Sequence, residues 1–242
     1  MSKVLIIGAS GATGKHAVSQ MLSDNVEVIA IVRPQSSLQR VYGHHEKYSE
    51  VKAEISQMSV AQLADCISQC HTVISCLGHN LSLQGIYGSP RKLVADAIKK
   101  VTAAICSLNR RAKTKVILMS TTGVSNLNIQ EYVPLSQRVV VAVLRLVLPP
   151  QVDNELAAAH LRVHVGKEHP HVQWVCVRPD SLFDEQEVTT YYLEHSPTSN
   201  VVFDALRTSR INVANFMKRL VTEDELWRQW QGKMPVIYNS GP

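Results

Sequence analysis

What most constrains this chain is a run of spaced glycines close to its start. Gly8-Ala9-Ser10-Gly11-Ala12-Thr13-Gly14 follows an apolar stretch at residues 4–7 and opens a segment whose Ala17, Val18, Met21 and Leu22 fall on one face of a helix. A glycine at position 8 permits a tight turn, one at 11 lets the backbone approach a pyrophosphate with no Cβ in the way, and one at 14 lets helix pack closely on strand. The amides and dipole of the helix start then form an anion site. Spaced glycines alone are common in turns. Here a strand precedes them, a helix follows, and a second β-branched stretch comes at 26–32, which is the context a dinucleotide fingerprint needs.

The rest of the chain repeats that alternation. Strands are predicted at 51–55, 72–76, 115–119 and 172–177, and helices through Leu63 and Ile67, through Leu93, Ala97, Val101 and Ile105, and over 154–166. Short β-branched runs alternating with amphipathic segments specify βαβ units. The expectation is one α/β domain over residues 1–242, a Rossmann-type doubly wound parallel sheet with helices on both faces. The polar connection containing Pro34, Ser36, Ser37, His44 and His45 should hold one irregular helix. Beyond Pro179 the pattern is less regular and predicts a small C-terminal substrate-side cap with a returning helix near 213–221.

With 242 residues and 45% hydrophobic content, the chain can fill a core between two helical layers. The excess of 25 Lys+Arg over 20 Asp+Glu is thinly spread, the densest run being Arg110-Arg111 with Lys113 and Lys115. That suits an anionic small ligand and not a nucleic-acid groove. Cys66, Cys70, Cys76, Cys106 and Cys176 are odd in number and lie among apolar or helical neighbours, so they read as reduced core thiols. No charged leader precedes the first strand. The most apolar stretch, 139–148, is about half of the ~20 residues a bilayer span needs and contains Arg145. These features predict a cytoplasmic protein without membrane contact, the 139–148 helix being buried or serving a homodimer or another protein partner.

The second strand ends at Arg33, where an NAD-selective protein usually carries Asp or Glu for the ribose hydroxyls. An arginine there can pair with a 2′-phosphate and stack on adenine, with Lys15 and Ser36 or Ser37 adding to the pocket. The alternative is a solvated loop charge. The first reading makes the cofactor NADP(H).

Together these residues resemble an atypical short-chain dehydrogenase/reductase of the NAD(P)-binding, NmrA-like and biliverdin/flavin-reductase-like group. The resemblance rests on Gly8 to Gly14, Arg33, Cys76-Leu77-Gly78, Ser120-Thr121-Thr122-Gly123 and Val177-Arg178-Pro179, in that order. It implies that Leu77 and Gly78 pass beneath the cofactor phosphates and ribose, and that Glu54, where the family usually has Asp, lies with Ile55 by the adenine. It further implies that Ser120 and Thr121 flank the nicotinamide and that Pro179 closes over its carboxamide end. Segments 153–155, 209–210 and 234–239 resemble a bacterial-type subgroup.

Standard members use a serine to hold the carbonyl and a tyrosine four residues before a lysine that lowers its pKa. Ser120 and Tyr132 are suitably spaced, but Ser136 stands where the lysine should, with Pro134 between. A literal tyrosine-to-lysine spacing at Tyr48 and Lys52 precedes the third strand, on the adenine side, and is read as coincidental. What remains near the nicotinamide is Ser120, Thr121 and the triplet Asp153-Asn154-Glu155. Glu155 or Asp153 could relay a proton and Asn154 orient a carbonyl, or the triplet could cap its helix. Asp180 could face the substrate or bond its own turn. His160 and His164 have metal-ligand spacing but no completing ligands, and Cys66 and Cys70 lack the turn of a redox pair, so no metal is expected.

Two functions suit these residues: an NADPH-dependent reductase of a small conjugated acceptor (quinone, flavin or carbonyl compound), and an NmrA-like redox sensor that binds NADP(H) without turnover. A sugar-nucleotide epimerase or dehydratase is a third, although such proteins commonly keep the tyrosine-lysine pair.

Overall fold

Strand β1 (Lys3–Ile7) sets the layering, because its alternate side chains feed two different cores. Val4 and Ile6 join one cluster, Leu5 and Ile7 the other, and all four are fully buried. Burial on both faces is what a continuous apolar run in a parallel sheet implies. The computed structural model describes residues 2–79, 88, 90–129, 131, 145, 148–198 and 206–240. After β1 come α1 (Gly14–Ser23), β2 (Glu27–Val32), α2 (Gln39–Tyr42), β3 (Tyr48–Lys52), α3 (Val60–Ile67) and β4 (Thr72–Ser75). They are followed by α4 (Leu93–Ser107), β5 (Thr114–Met119), α5 (Pro149–Ala159) and β6 (Val172–Pro179).

These strands form a sheet in the order β3-β2-β1-β4-β5-β6, all parallel. The fold is the doubly wound α/β sheet of Rossmann type. Helices α3, α4 and α5 cover the Leu5 face, and α1 covers the Val4 face.

The chain beyond Pro179 is more regular than its pattern predicts. Strands β7 (Ser181–Phe183) and β9 (Arg207–Ser209) make a two-stranded ribbon, while β10 (Val236–Asn239) lies parallel to β6 and β8 (Tyr191–Glu194) antiparallel to β10. Among the described residues the central sheet therefore has eight strands. Helix α6 (Arg210–Thr222) includes the predicted 213–221 segment and packs on α1, followed by α7 (Asp224–Trp230).

Two boundaries differ from expectation for identifiable reasons. The third strand begins at Tyr48 and not at 51, since Tyr48 pairs with Val28 and its hydroxyl donates to Glu50 at 2.7 Å. Ile55, predicted inside the strand, instead buries its side chain from a turn closed by the Gln57 amide on the Glu54 carbonyl. The helix predicted over 154–166 starts at Pro149, a residue suited to a first helical position, and changes at His160–Val165 to a wider π-helical turn ended by Gly166. Among the described residues no helix is long and apolar enough to cross a membrane, and no three His, Cys, Asp or Glu side chains gather as a metal site. All five cysteines are free thiols.

Candidate functional site

In this strand order, connections leave β1 in one direction and β4 in the other, which opens a crevice at their carboxyl ends. The glycine run occupies that crevice. Gly8 has φ of 76°, and a Cβ there would lie 2.9 Å from the Cys76 carbonyl oxygen. A Cβ on Gly14 would lie 2.2 Å from the Gly8 carbonyl oxygen, so Gly14 lets α1 seat against the end of β1. Thr13 stands at the N-cap without a side-chain cap bond, and the first turn of α1 holds no acidic residue. Helices α3 and α6, by contrast, are capped by Ser59 and Ser209. Ser10 and Ala12 lie between the glycines, and Gly78, on the facing loop, has nothing among the described residues within 4 Å of an added Cβ. An open space bounded by uncapped helix amides fits an anionic dinucleotide.

Arg33 follows β2, is exposed, and forms no ion pair among the described residues. Glu54 is exposed after β3 beside the buried Ile55. Burial pushes the Cys76 thiol, at the end of β4, up to about 12, so it is an inert wall of the crevice.

Around the carboxyl ends of β5 and β6 the polar groups are tightly engaged. The Ser120 amide donates to the Val177 carbonyl and the Thr122 amide to the Pro179 carbonyl, which binds the loop after β5 to β6. The Ser120 hydroxyl is enclosed without a well-formed hydrogen bond. It lies close enough to Cys176 to favour the thiolate slightly, against a burial effect that raises that thiol to about 12. Thr121 is half-buried, and its hydroxyl accepts from the Gly123 amide at 3.3 Å. Asp180 bonds more than its own turn: it accepts from Thr122, from the Ser181 amide and from the Leu206 amide. Burial nonetheless raises its carboxyl above the usual range, with those three donors opposing.

The triplet on α5 lies in the second turn, because the helix starts at Pro149. Asp153 does cap a helix, but a different one. Its Oδ2 and Oδ1 accept from the Val94 and Ala95 amides at 2.8 and 2.9 Å, at the start of α4, which has no local side-chain cap. Its Oδ2 also lies 2.8 Å from His79 Nε2, and since a carboxylate only accepts, Nε2 is the donor. Asn154 donates to the Pro150 carbonyl, and Glu155 accepts from Arg145 Nε and Gln151.

A match to the NAD(P)H-binding family spans residues 8–224, nearly the whole of this arrangement. The chain belongs to the NAD(P)H-binding family. Solved structures of the same fold include an oxidoreductase, ylbE, from Lactococcus lactis (16% identity, 98% of this chain and 91% of that one, TM-score 0.68). A short-chain dehydrogenase/reductase from Veillonella parvula in complex with NADP has 15% identity over 99% and 95% of the two chains, with TM-score 0.68. ChuY, an anaerobillin reductase from Escherichia coli, has 15% identity over 100% of both chains, with TM-score 0.66. No curated protein matches the sequence at a significant level.

Within this NAD(P)H-binding protein the Tyr48 and Lys52 spacing falls along β3, whose first residue lies at the amino edge of the sheet, away from the crevice. Burial and the bond to Glu50 hold the Tyr48 hydroxyl well above its ordinary pKa. Tyr132, Pro134, Ser136 and most of the 139–148 stretch lie outside the described residues. His160 bonds Thr102 on α4 at 2.9 Å, with its ring 5.5 Å from that of His164. His79 escaped the sequence reading, although its place directly after Leu77-Gly78, at the carboxyl end of a parallel strand, was a signal in plain view.

Proposed function

We propose that this protein is a cytoplasmic, single-domain NADPH-dependent reductase of a small conjugated acceptor such as a quinone, flavin or carbonyl compound. The observation that carries the reading is an anion cradle with uncapped helix amides, flanked by an exposed arginine that has no carboxylate partner among the described residues. Gly8, Ser10, Gly11, Ala12, Thr13 and Gly14 would hold the pyrophosphate, Arg33 the 2′-phosphate, Glu54 and Ile55 the adenine edge, and Cys76, Leu77 and Gly78 the floor. Ser120, Thr121 and Pro179 would border the nicotinamide, with Asn154 and Glu155 on the acceptor side. Bound there, the reduced nicotinamide supplies a hydride.

Conjugated acceptors delocalise the electron pair they receive and need little acid catalysis, which suits a chain without the tyrosine-lysine pair. The names of the Veillonella parvula NADP complex and of the Escherichia coli anaerobillin reductase agree with this cofactor and acceptor type. Steady NADPH oxidation with a quinone, flavin and carbonyl panel tests it. Tight NADPH binding with no turnover on any panel member would refute the reductase.

That negative result is what a second reading expects, a redox-sensing protein that binds NADP(H) and signals to a protein partner or a second copy of itself. Its support is that the acids near the site are already engaged: Glu155 by Arg145 and Gln151, Asp153 by two amides and His79, and Asp180 by three donors.

A further inference from the structure

We propose that Asp153 and His79 are positioning residues for the dinucleotide, joining the floor of the crevice to α4 and α5 so that Leu77 and Gly78 are held in place before the cofactor arrives. The inference rests on the dinucleotide part of the reading above and does not depend on turnover.

Three elements meet at one carboxylate. Asp153 projects from the second turn of α5, takes the first amides of α4 from a position 58–59 residues away, and receives His79 from the loop after β4, 74 residues away in sequence. A cap for α4 alone would need none of this, since a Ser or Asn at its own N-cap would serve, yet Lys92 stands there without a cap bond. The Asp153 side chain is fully buried and that of His79 is 6% exposed, so water does not compete for their hydrogen bond. A buried carboxylate that meets two helix amides and a ring N–H is charge-assisted and directional, and it has one low-energy arrangement. The consequence is positional. His79 is bonded to Gly78, which has no described neighbour within 4 Å of an added Cβ, so fixing the imidazole limits where the Leu77-Gly78 backbone can lie. The same contact ties that floor to the helix carrying Asn154 and Glu155, and ordering completed before binding leaves more of the interaction energy for affinity.

The test separates this tie from general stability. His79→Leu keeps most of the volume and leaves Asp153 its two amides, but removes the hydrogen bond that joins the loop to α5. His79→Gln can restore the bond, because its Nε2 donates at nearly the same reach. Calorimetric titration with NADPH and with 2′,5′-ADP, a fragment that occupies the adenosine end alone, should show NADPH affinity falling tenfold or more in His79→Leu. Affinity for 2′,5′-ADP should be unchanged, and His79→Gln should return to within about threefold of wild type for NADPH. Equal losses for NADPH and 2′,5′-ADP, unchanged NADPH binding in His79→Leu, or failure of His79→Gln to restore it would each overturn the proposal. If the wild-type protein bound neither NADPH nor NADH, the dinucleotide reading and this inference would fall together. Wild-type binding without turnover would remove only the reductase.

Discussion

Gly11 and Gly14 look alike in the sequence, but the structure assigns them different duties, and substituting alanine at each should separate fold from binding. A Cβ on Gly14 would stand 2.2 Å from the Gly8 carbonyl oxygen and 2.9 Å from both the Cα and the carbonyl oxygen of Ala9, all of them backbone atoms. No rotamer relieves such a clash, so α1 must lift from β1. That helix buries Ala17, Val18, Met21 and Leu22 at 6% exposure or less, so the movement disturbs a packed face. Overpacking of this kind costs about 1–3 kcal/mol, occasionally more. A chain of this size loses about 2–4 °C in Tm per kcal/mol, so Gly14→Ala should melt roughly 2–12 °C below wild type. At Gly11 the added Cβ meets only the Gly8 carbonyl oxygen, at 3.1 Å, which a shift of a few tenths of an ångström accommodates. Gly11→Ala should melt within about 2 °C of wild type, but its methyl group would enter the space proposed for the pyrophosphate and should weaken NADPH at least tenfold. Circular-dichroism melting and calorimetric titration read the two effects independently. Wild-type melting of Gly14→Ala, or an equal Tm loss in Gly11→Ala, would refute the assignment.

Arg33→Ala should weaken NADPH about ten- to a hundredfold, equivalent to losing about 1.5–3 kcal/mol of charge-assisted bonding, and leave NADH unaffected; an unchanged preference between the two cofactors would overturn the NADP(H) assignment. Once an acceptor is found, Tyr48→Phe and Lys52→Ala should keep wild-type turnover, with Tyr48→Phe losing only about 0.5–1.5 kcal/mol of stability as its bond to Glu50 goes. A large loss of turnover in either would place the chemistry along β3, outside the crevice between β1 and β4. Burial raises the Asp180 carboxyl, so the folded chain holds that proton more tightly than the unfolded chain. The resulting stabilisation is full below the ordinary aspartate pKa of about 4 and fades as pH climbs through the raised value. Asp180→Asn should therefore flatten the fall of Tm from about pH 4 upward, and an unaltered slope would show that Asp180 titrates normally.

The elements legible in the sequence are those whose local pattern and tertiary environment agree. Residues 4–7 form a strand buried on both faces, and glycines at 8, 11 and 14 have few other uses between a strand and a helix, so β1, α1 and the glycine turn joining them could be read directly. The third strand was misplaced because Ile55 looks like a strand residue and is in fact a buried turn residue, while Tyr48 pairs through the backbone with no alternation to announce it. Strands β8 and β10 are four residues each and gain their place by pairing with β6 and with each other, a non-local cause invisible in a short window. The polar triplet was legible as a helix-cap motif, but not which helix it capped. The capped amides at Val94 and Ala95 come from another part of the chain, and only the folded arrangement brings them to Asp153.

Arg178 shows the same non-local logic and carries the most severe stability prediction. Its guanidinium is fully buried and donates to the Met234, Val124 and His195 carbonyls at 2.9, 2.9 and 3.1 Å, and to Glu131 Oε1 at 2.7 Å. The other oxygen of Glu131 accepts from the Asn126 amide at 2.7 Å. One side chain on β6 thus anchors the loop that follows Ser120 and Thr121, the residue before β10's approach to the sheet, and the turn after β8. Glu131→Gln would leave a guanidinium in the interior with carbonyl partners but no counter-charge. Arg178→Met would leave a buried carboxylate with, among the described residues, a single amide donor. Removing one partner of a buried pair costs about 3–5 kcal/mol, so each single variant should lose that much in urea unfolding. The double variant Arg178→Met with Glu131→Gln buries neither charge, and its loss should resemble that of one single variant and fall well short of their sum. NADPH affinity should weaken in all three, because the loop proposed to border the nicotinamide loses its anchor. Additive losses in the cycle, or a Glu131→Gln protein within about 1 kcal/mol of wild type, would show that the two charges are not a coupled pair.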